Sequence, residues 1–240
     1  MPRPLAVLFA KPHVGHCEEL FSLLRSLIDQ LGIEVVAFRS AILDGNVLYR
    51  NYLPHAFFAF APFSAHLAHL QPGAYQAIEQ QTRISIAAHL ARRSLLSASE
   101  AAKCLDLQPT QLYNYWENSK CLVRVQVGYQ IKRIALPCSS PVWVVNGYFP
   151  YRFDLYNSGT ESVAAWLLAL PGGTAVATAR AKLLGDSSGP ENTLRGFLAR
   201  HHARLGIQVD TFNNGFHMSD TAAASIRETA IWFPDWLLHQ

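Results

Sequence analysis

The sequence predicts an α+β protein built on a ferredoxin-like split βαβ core, an antiparallel sheet covered by helices, with a mainly helical, winged-helix-like subdomain inserted into it. Three observations predict this: a strand–helix–strand pattern near the start, the same pattern again near the end followed by one more helix, and a middle stretch of different texture. The corresponding division is 1–54 and 146–240 for the two halves of the core and 55–145 for the insertion.

The elements follow in order. "LAVLFA", residues 5–10, is a short unbroken apolar run, the mark of a buried strand. From about Gly15 to Leu31, Leu20, Leu23, Leu24, Leu27 and Ile28 recur at helical spacing, and Gly32 ends the helix. "IEVVAFRSA" alternates as a second strand, and Asp44 to Tyr52 reads as a short helix over the sheet, stopped by Pro54. The texture returns with "SVAAWLLAL" as a buried strand and "GGTAVATARAKLLG" as a helix closed by Gly185. "DSSGPENTLRG" follows as a polar loop, then "IQVDTFNNGFH" as strand-like material. Ser219 or Asp220 caps a last helix to about Trp232, with Trp232 and Phe233 read as core. The order implies helices on one face of the sheet.

Composition narrows the function classes. At 240 residues, half of them apolar, the chain can bury a substantial core. "LAVLFA" is too short and too soon followed by Lys11 for a secretory signal, and "VAAWLLAL" is far too short to cross a bilayer, so no membrane role is expected. Cys17, Cys104, Cys121 and Cys138 are widely spaced with no CxxC pair, which argues against a zinc knuckle or disulfide framework and for a reducing, cytoplasmic setting. His13 with His16, His66 with His69 and His201 with His202 have no second ligand pair at metal spacing.

In the insertion, "SASEAAKCLDLQPTQLYNYWENSK" reads as two short helices, the first capped by Ser97 or Ser99 and the second by Thr110. "CLVRVQVGYQIKRIAL" then alternates about Gly128 as a hairpin or wing. From Tyr75 to Leu136 eight cations (Arg83, Arg92, Arg93, Lys103, Lys120, Arg124, Lys132 and Arg133) face four acids (Glu79, Glu100, Asp106 and Glu117), a net +4 against +3 for the whole chain. Either this is a packing module with a solvated basic surface, or it reads nucleic acid as a winged helix.

The outer halves hold the chemistry. A histidine that attacks phosphorus needs a ring nitrogen with its lone pair, a carboxylate to hold the imidazole, and cations to neutralise the phosphoryl group in transit. His217 lies in "NNGFHMSD", Glu228 follows eleven residues later on a helix, and Lys11, Arg180 and Arg195 are the cations. No Walker loop or GxGxxG is present, so side chains have to bind phosphate.

"FAKP", "RNY", "TARAKLLG", "NTLRG", "NNGFHMSD" and "RETAIWF" resemble, in order and mostly in spacing, motifs of the nucleoside diphosphate kinases, over residues 4–53 and about 148–236. The family's N-x-x-H-x-S-D signature falls on Asn214, His217, Ser219 and Asp220, and its E-x-x-x-W-F on Glu228, Trp232 and Phe233. The resemblance implies a phosphohistidine on His217, with Glu228 and Ser219 orienting or polarising it. It implies phosphate or ribose contacts from Lys11, Tyr52, Arg180, Ser187, Arg195 and Asn214. Asp220 would hold Mg²⁺ through water while the metal bridges nucleotide phosphates. Nucleoside tri- and diphosphates are the implied partners, a homo-oligomer the implied assembly, and Phe149 or Phe153 the candidate to stack on the base.

The sequence departs from the family where Met218 replaces glycine after the histidine, adding bulk beside it, and where "KPDG" becomes "KPHV". The polar loop is shortened and "LARHHARLG" lengthens the path to Asn214. Two functions stand: a phosphotransferase moving a terminal phosphoryl from a nucleoside triphosphate to a diphosphate or a narrower acceptor, and a nucleotide-sensing regulator whose basic insertion binds DNA or RNA.

Overall fold

The computed structural model describes residues 3–15, 17–42, 47, 50–126, 128–137, 140–157, 162–186, 188–210 and 213–237. In chain order the elements are β1 (Leu5–Ala10), α1 (Glu18–Gln30), β2 (Glu34–Ile42), α2 (Leu53–Phe60), α3 (Phe63–His66), α4 (Ala74–Thr82) and α5 (Ile86–Arg92). Next come β3 (Leu95–Ser97), α6 (Ala98–Cys104), α7 (Pro109–Asn118), β4 (Leu122–Gln126), β5 (Tyr129–Ile134), β6 (Val142–Val145) and α8 (Phe149–Asn157). The chain closes with β7 (Ser162–Ala169), α9 (Val176–Leu183), α10 (Leu194–His201), β8 (Phe216–Met218), α11 (Ala222–Trp232) and α12 (Pro234–Leu237). They form two compact units, Met1–Val47 with Gly159–Gln240, and Leu48–Ser158.

The first unit carries a four-stranded sheet in the order β2-β7-β1-β8, every neighbouring pair antiparallel. With α1 joining β1 to β2 and helices joining β7 to β8, this is the split βαβ arrangement. Alternation along β1 divides its side chains: Ala6, Leu8 and Ala10 enter a core with Leu20, Leu24 and Leu27 of α1, Val176 and Leu183 of α9 and Leu198 of α10. Val7 and Phe9 point the other way, where α11 lies, and Phe9 meets Trp232 at 4.7 Å between ring centroids. Helices therefore cover both faces, not the one face expected from the order of elements.

Several local readings shift. Helix α11 is capped by Thr221, whose hydroxyl accepts from Ala224 N at 3.0 Å, because the Ser219 hydroxyl is already committed elsewhere. The polar stretch after Gly185 turns helical at Leu194, with Thr193 as its cap, and among the described residues of "IQVDTFNNGFH" only Phe216 and His217 belong to a strand. Residues 43–46, 48–49 and 211–212 lie outside the described residues, so the Asp44 to Tyr52 helix falls largely there, as do His16 and Cys138.

The second unit has its own sheet, order β3-β6-β5-β4, with β3 parallel to β6 and the β4–β5 hairpin turning at Gly128, φ +76°. Phe58, Phe63, Ile78, Tyr129, Ile131 and Trp143 fill its core. The two helices of the sequence reading form. Ser97 opens α6 with a capping box, its hydroxyl accepting from Glu100 N at 3.2 Å while Glu100 Oε2 accepts from Ser97 N at 3.0 Å. Gln108, not Thr110, caps α7, because Pro109 is suited to the first helical position. The unpredicted strand β6 lies between β3 and β5. Of the eight cations, Lys132 is buried, donating to Trp116 O at 2.7 Å. No helix among the described residues is long and apolar enough to cross a membrane.

Candidate active site

Strand β8 is short, and its register against β1 places Leu8 opposite Met218, Phe9 opposite His217 and Ala10 opposite Phe216. Side chains alternate along a strand, so the three residues of β8 part company. Phe216 and Met218 are buried in the α1 face of the core, while His217 lies on the α11 face with its ring stacked on Phe9, 4.7 Å away at 24°. Met218 therefore adds its bulk to the core beneath the sheet rather than beside the histidine ring.

On the α11 side the histidine meets a carboxylate. Glu228, its side chain 3% exposed against 19% for His217, sits 3.0 Å from His217 Nε2 through Oε1. Its other oxygen, Oε2, accepts from Ser219 Oγ at 2.7 Å. Ser219 Oγ in turn accepts from Val7 N at 3.0 Å, and Ser219 N donates to Val7 O at 2.9 Å. An ionised carboxylate can only accept, so Nε2 carries the proton and a neutral ring keeps its lone pair on Nδ1. Burying a carboxylate is costly unless its oxygens are bonded, and here each has a donor; Arg227 adds a charge at 3.7 Å. The helix position explains the spacing: Glu228 lies on the second turn of α11, the face turned to β1.

At the opposite end of β8 from Ser219, the turn before His217 is built around Lys11. Lys11, a residue 7% exposed, donates from Nζ to Asn214 Oδ1 at 2.7 Å, and Lys11 N donates to Gly215 O at 2.9 Å. Gly215 N donates to His13 Nε2 at 3.2 Å. Gly215 is at φ +87°, and a Cβ there would meet Leu198 Cδ2 at 2.7 Å, so any side chain in the turn would be strained. Arg195, half-buried on α10, donates from Nη2 to Phe216 O at 2.9 Å, one residue from the histidine.

The structure thus joins Lys11, Asn214, Arg195, His217, Ser219 and Glu228 through hydrogen bonds that meet at the edge strand β8. Arg180 is half-buried on α9, and its Nε has no hydrogen-bond partner among the described residues. Asp220 is exposed immediately after Ser219, and Ser187 lies outside the described residues. Tyr52, Phe149 and Phe153 belong to the second unit, where Phe149 is buried and both phenylalanines meet Phe60 edge-on. The sequence singled out neither Phe9 nor, except as a possible metal ligand with His16, His13. The signal for Phe9 was its place in the strand before Lys11, and for His13 its position two residues after Lys11.

Among the described residues no cluster of three or more His, Cys, Asp or Glu side chains is disposed to hold a metal. A hard cation such as Mg²⁺ takes six oxygens and keeps several of its waters. Asp220, exposed beside the network, offers one carboxylate to such an ion.

No family model matches the chain, and no curated protein matches it. Among solved structures it is similar to an NDP kinase from Pyrobaculum aerophilum, at 16% identity and a TM-score of 0.44, over 97% of this chain and 96% of that one. It is also similar to a nucleoside-diphosphate kinase from Borrelia burgdorferi, a transition state mimic with bound vanadate and ADP. There the identity is 13% and the TM-score 0.43, over 95% of this chain and 86% of that one. Likeness at that distance says nothing of activity. What the site does has to come from its own groups.

Proposed function

We propose that the chain is a nucleoside diphosphate kinase-like phosphotransferase working through a phosphohistidine on His217, with 1–54 and 146–240 as its kinase-like halves around 55–145. One observation carries the reading: a buried carboxylate, Glu228, that holds both His217 Nε2 and the Ser219 hydroxyl. That arrangement fixes the ring tautomer and leaves the nucleophilic lone pair on Nδ1.

In the first half-reaction His217 Nδ1 attacks the γ-phosphorus of a nucleoside triphosphate. An N–P bond forms, the bond from phosphorus to the β-phosphate bridging oxygen breaks, and the diphosphate leaves with the electron pair. The ring becomes a phosphoimidazolium, whose positive charge faces Glu228. In the second half an oxygen of an acceptor diphosphate attacks the same phosphorus and the N–P bond breaks, restoring the neutral ring. Lys11, Arg195 and Arg180 supply positive charge for the phosphates, and Asn214 and Ser187 polar contacts. Asp220 would hold Mg²⁺ through water; when bound on the nucleotide, that ion neutralises phosphate charge. Tyr52, Phe149 and Phe153 are not needed for the transfer itself, and a site whose contacts go to sugar and phosphate tolerates different bases.

A homo-oligomer fits the same reading: β2 is an edge strand with Val35 and Phe38 exposed, beside a groove of about 490 Å³ walled by Phe21, Ile28 and Trp166. The alternative of a nucleic-acid-binding regulator lacks a comparable observation, since α7 carries no cation. A cytoplasmic location goes with nucleotide substrates.

The test is incubation with γ-labelled ATP and Mg²⁺. The chain should take up an acid-labile, alkali-stable label that passes to added nucleoside diphosphate, and His217→Ala should take up none. Labelling that persists in His217→Ala would remove the mechanism.

A further inference from the structure

We propose that His13 is a positioning residue for this site, setting the turn that delivers His217 and the Lys11 ammonium. The proposal rests on the phosphotransfer reading and adds a residue that the reading does not contain.

Gly215 N can only donate, so the bond of 3.2 Å to His13 Nε2 requires a lone pair on that nitrogen. His13 is therefore the neutral tautomer with its proton on Nδ1. The same glycine gives its carbonyl to Lys11 N, and its neighbour Asn214 accepts from Lys11 Nζ. A two-residue turn is thus gripped from three directions by the segment Lys11 to His13, and its fourth side is closed by Leu198. Gly215 has the widest backbone freedom of any residue, and in this conformation no side chain of its own limits it. The bonds to its N–H and C=O are what define where β8 begins.

The consequence reaches the reacting atoms within two residues. Ala10 pairs with Phe216 and Phe9 with His217, so a turn that shifts carries the register of β8 with it and moves the His217 ring relative to Glu228. The Asn214 amide moves too, and with it the acceptor that aims the Lys11 ammonium. A displacement of a few tenths of an ångström in attack geometry is enough to slow a transfer of this kind.

The His13 ring lines a polar cleft of about 630 Å³ with Cys17, Glu18, Glu19 and Arg204. There Arg204 is engaged by both oxygens of Glu19 at 2.9 and 2.7 Å.

The experiment compares single-turnover phosphorylation of His217 in the full chain and in His13→Ala, His13→Gln and His13→Asn, alongside hydrogen exchange at the Gly215 amide. A glutamine carbonyl reaches the place of Nε2, whereas an asparagine carbonyl reaches only that of Nδ1. His13→Ala and His13→Asn should slow phosphorylation by roughly 10-fold or more and speed exchange at Gly215, and His13→Gln should restore both to within about threefold. A role in bulk packing alone would not separate glutamine from asparagine. His13→Ala at the rate of the natural chain overturns the proposal. If alanine prevents folding, equal rates for the glutamine and asparagine variants overturn it. A natural chain that takes no label removes the phosphotransfer reading and the catalytic half of this proposal, while Gly215 exchange still reports whether His13 holds the turn.

Discussion

His217 in the first unit and His89 in the second are each held at a ring nitrogen by a side chain of known identity, and they differ in what holds them. His89 is fully buried. Thr82 Oγ1 donates to Ile78 O at 2.8 Å and so accepts from His89 Nε2 at 2.9 Å, and Ser94 Oγ donates to Nδ1 at 2.9 Å. Both partners are neutral, and burial pushes the His89 pKa down. His66, also fully buried, lies among Tyr129, the Ala61 carbonyl and aromatic edges, and burial pushes its pKa down to about 4. His217 has a carboxylate on one nitrogen, keeps 19% of its side chain exposed, and has a cationic turn beside it. On the proposed reading, a charged orienting partner with access for a ligand suits His217 to reaction, whereas neutral partners with full burial suit His89 and His66 to structure.

The largest test of that contrast removes only the charge. Glu228→Gln keeps the size and one acceptor but cannot stabilise a phosphoimidazolium, so phosphorylation of His217 should fall on the order of 10²- to 10³-fold, measured in a single turnover, with the fold retained by circular dichroism. A fall of under about threefold would mean that the carboxylate only fills space.

A second test works on the structural side. The folded pKa of His66 lies below its ordinary 6.5, so folding favours the neutral ring. The stabilisation is fully present above pH 6.5 and is lost as pH falls toward 4, where the unfolded chain binds the proton and the folded chain does not. That loss amounts to roughly 3 kcal/mol. Urea midpoints measured from pH 7 to 4 should fall, and the part of the slope due to His66 should vanish in His66→Phe; an identical slope in that variant would show that the ring does not titrate with unfolding.

The smallest effect is expected at Met218. Its side chain lies in the core, so Met218→Leu conserves volume and should cost under about 1.5 kcal/mol while leaving the rate of phosphotransfer unchanged. A changed rate would mean that the side chain reaches the reacting histidine after all.

Periodicity made much of this legible. The apolar run of β1, the leucine spacing of α1 and the capping signal at Ser97 are local, and each formed where the sequence pointed. The orientation of Met218 follows from the same alternation, since one residue further along a strand is the other face, although its bulk was expected beside the histidine. What was not legible depends on distant partners. Ser219 looks like a helix cap until Val7 and Glu228 claim its hydroxyl, and the cap passes to Thr221. "VWVV" is a strand only because Leu95–Ser97 and Tyr129–Ile134 flank it. His13 is an isolated histidine until the turn at Gly215 folds against it.

The bond from Val7 N to Ser219 Oγ spans 212 positions of sequence. Closing so long a loop is paid in chain entropy before any contact repays it, which makes contacts of this kind late and slow to form. The same bond belongs to the network that orients His217. A folding intermediate with every helix in place but β8 undocked would be compact and helical by spectroscopy but, on the proposed reading, catalytically silent, so the onset of the proposed phosphotransfer during refolding would time the closing of the sheet.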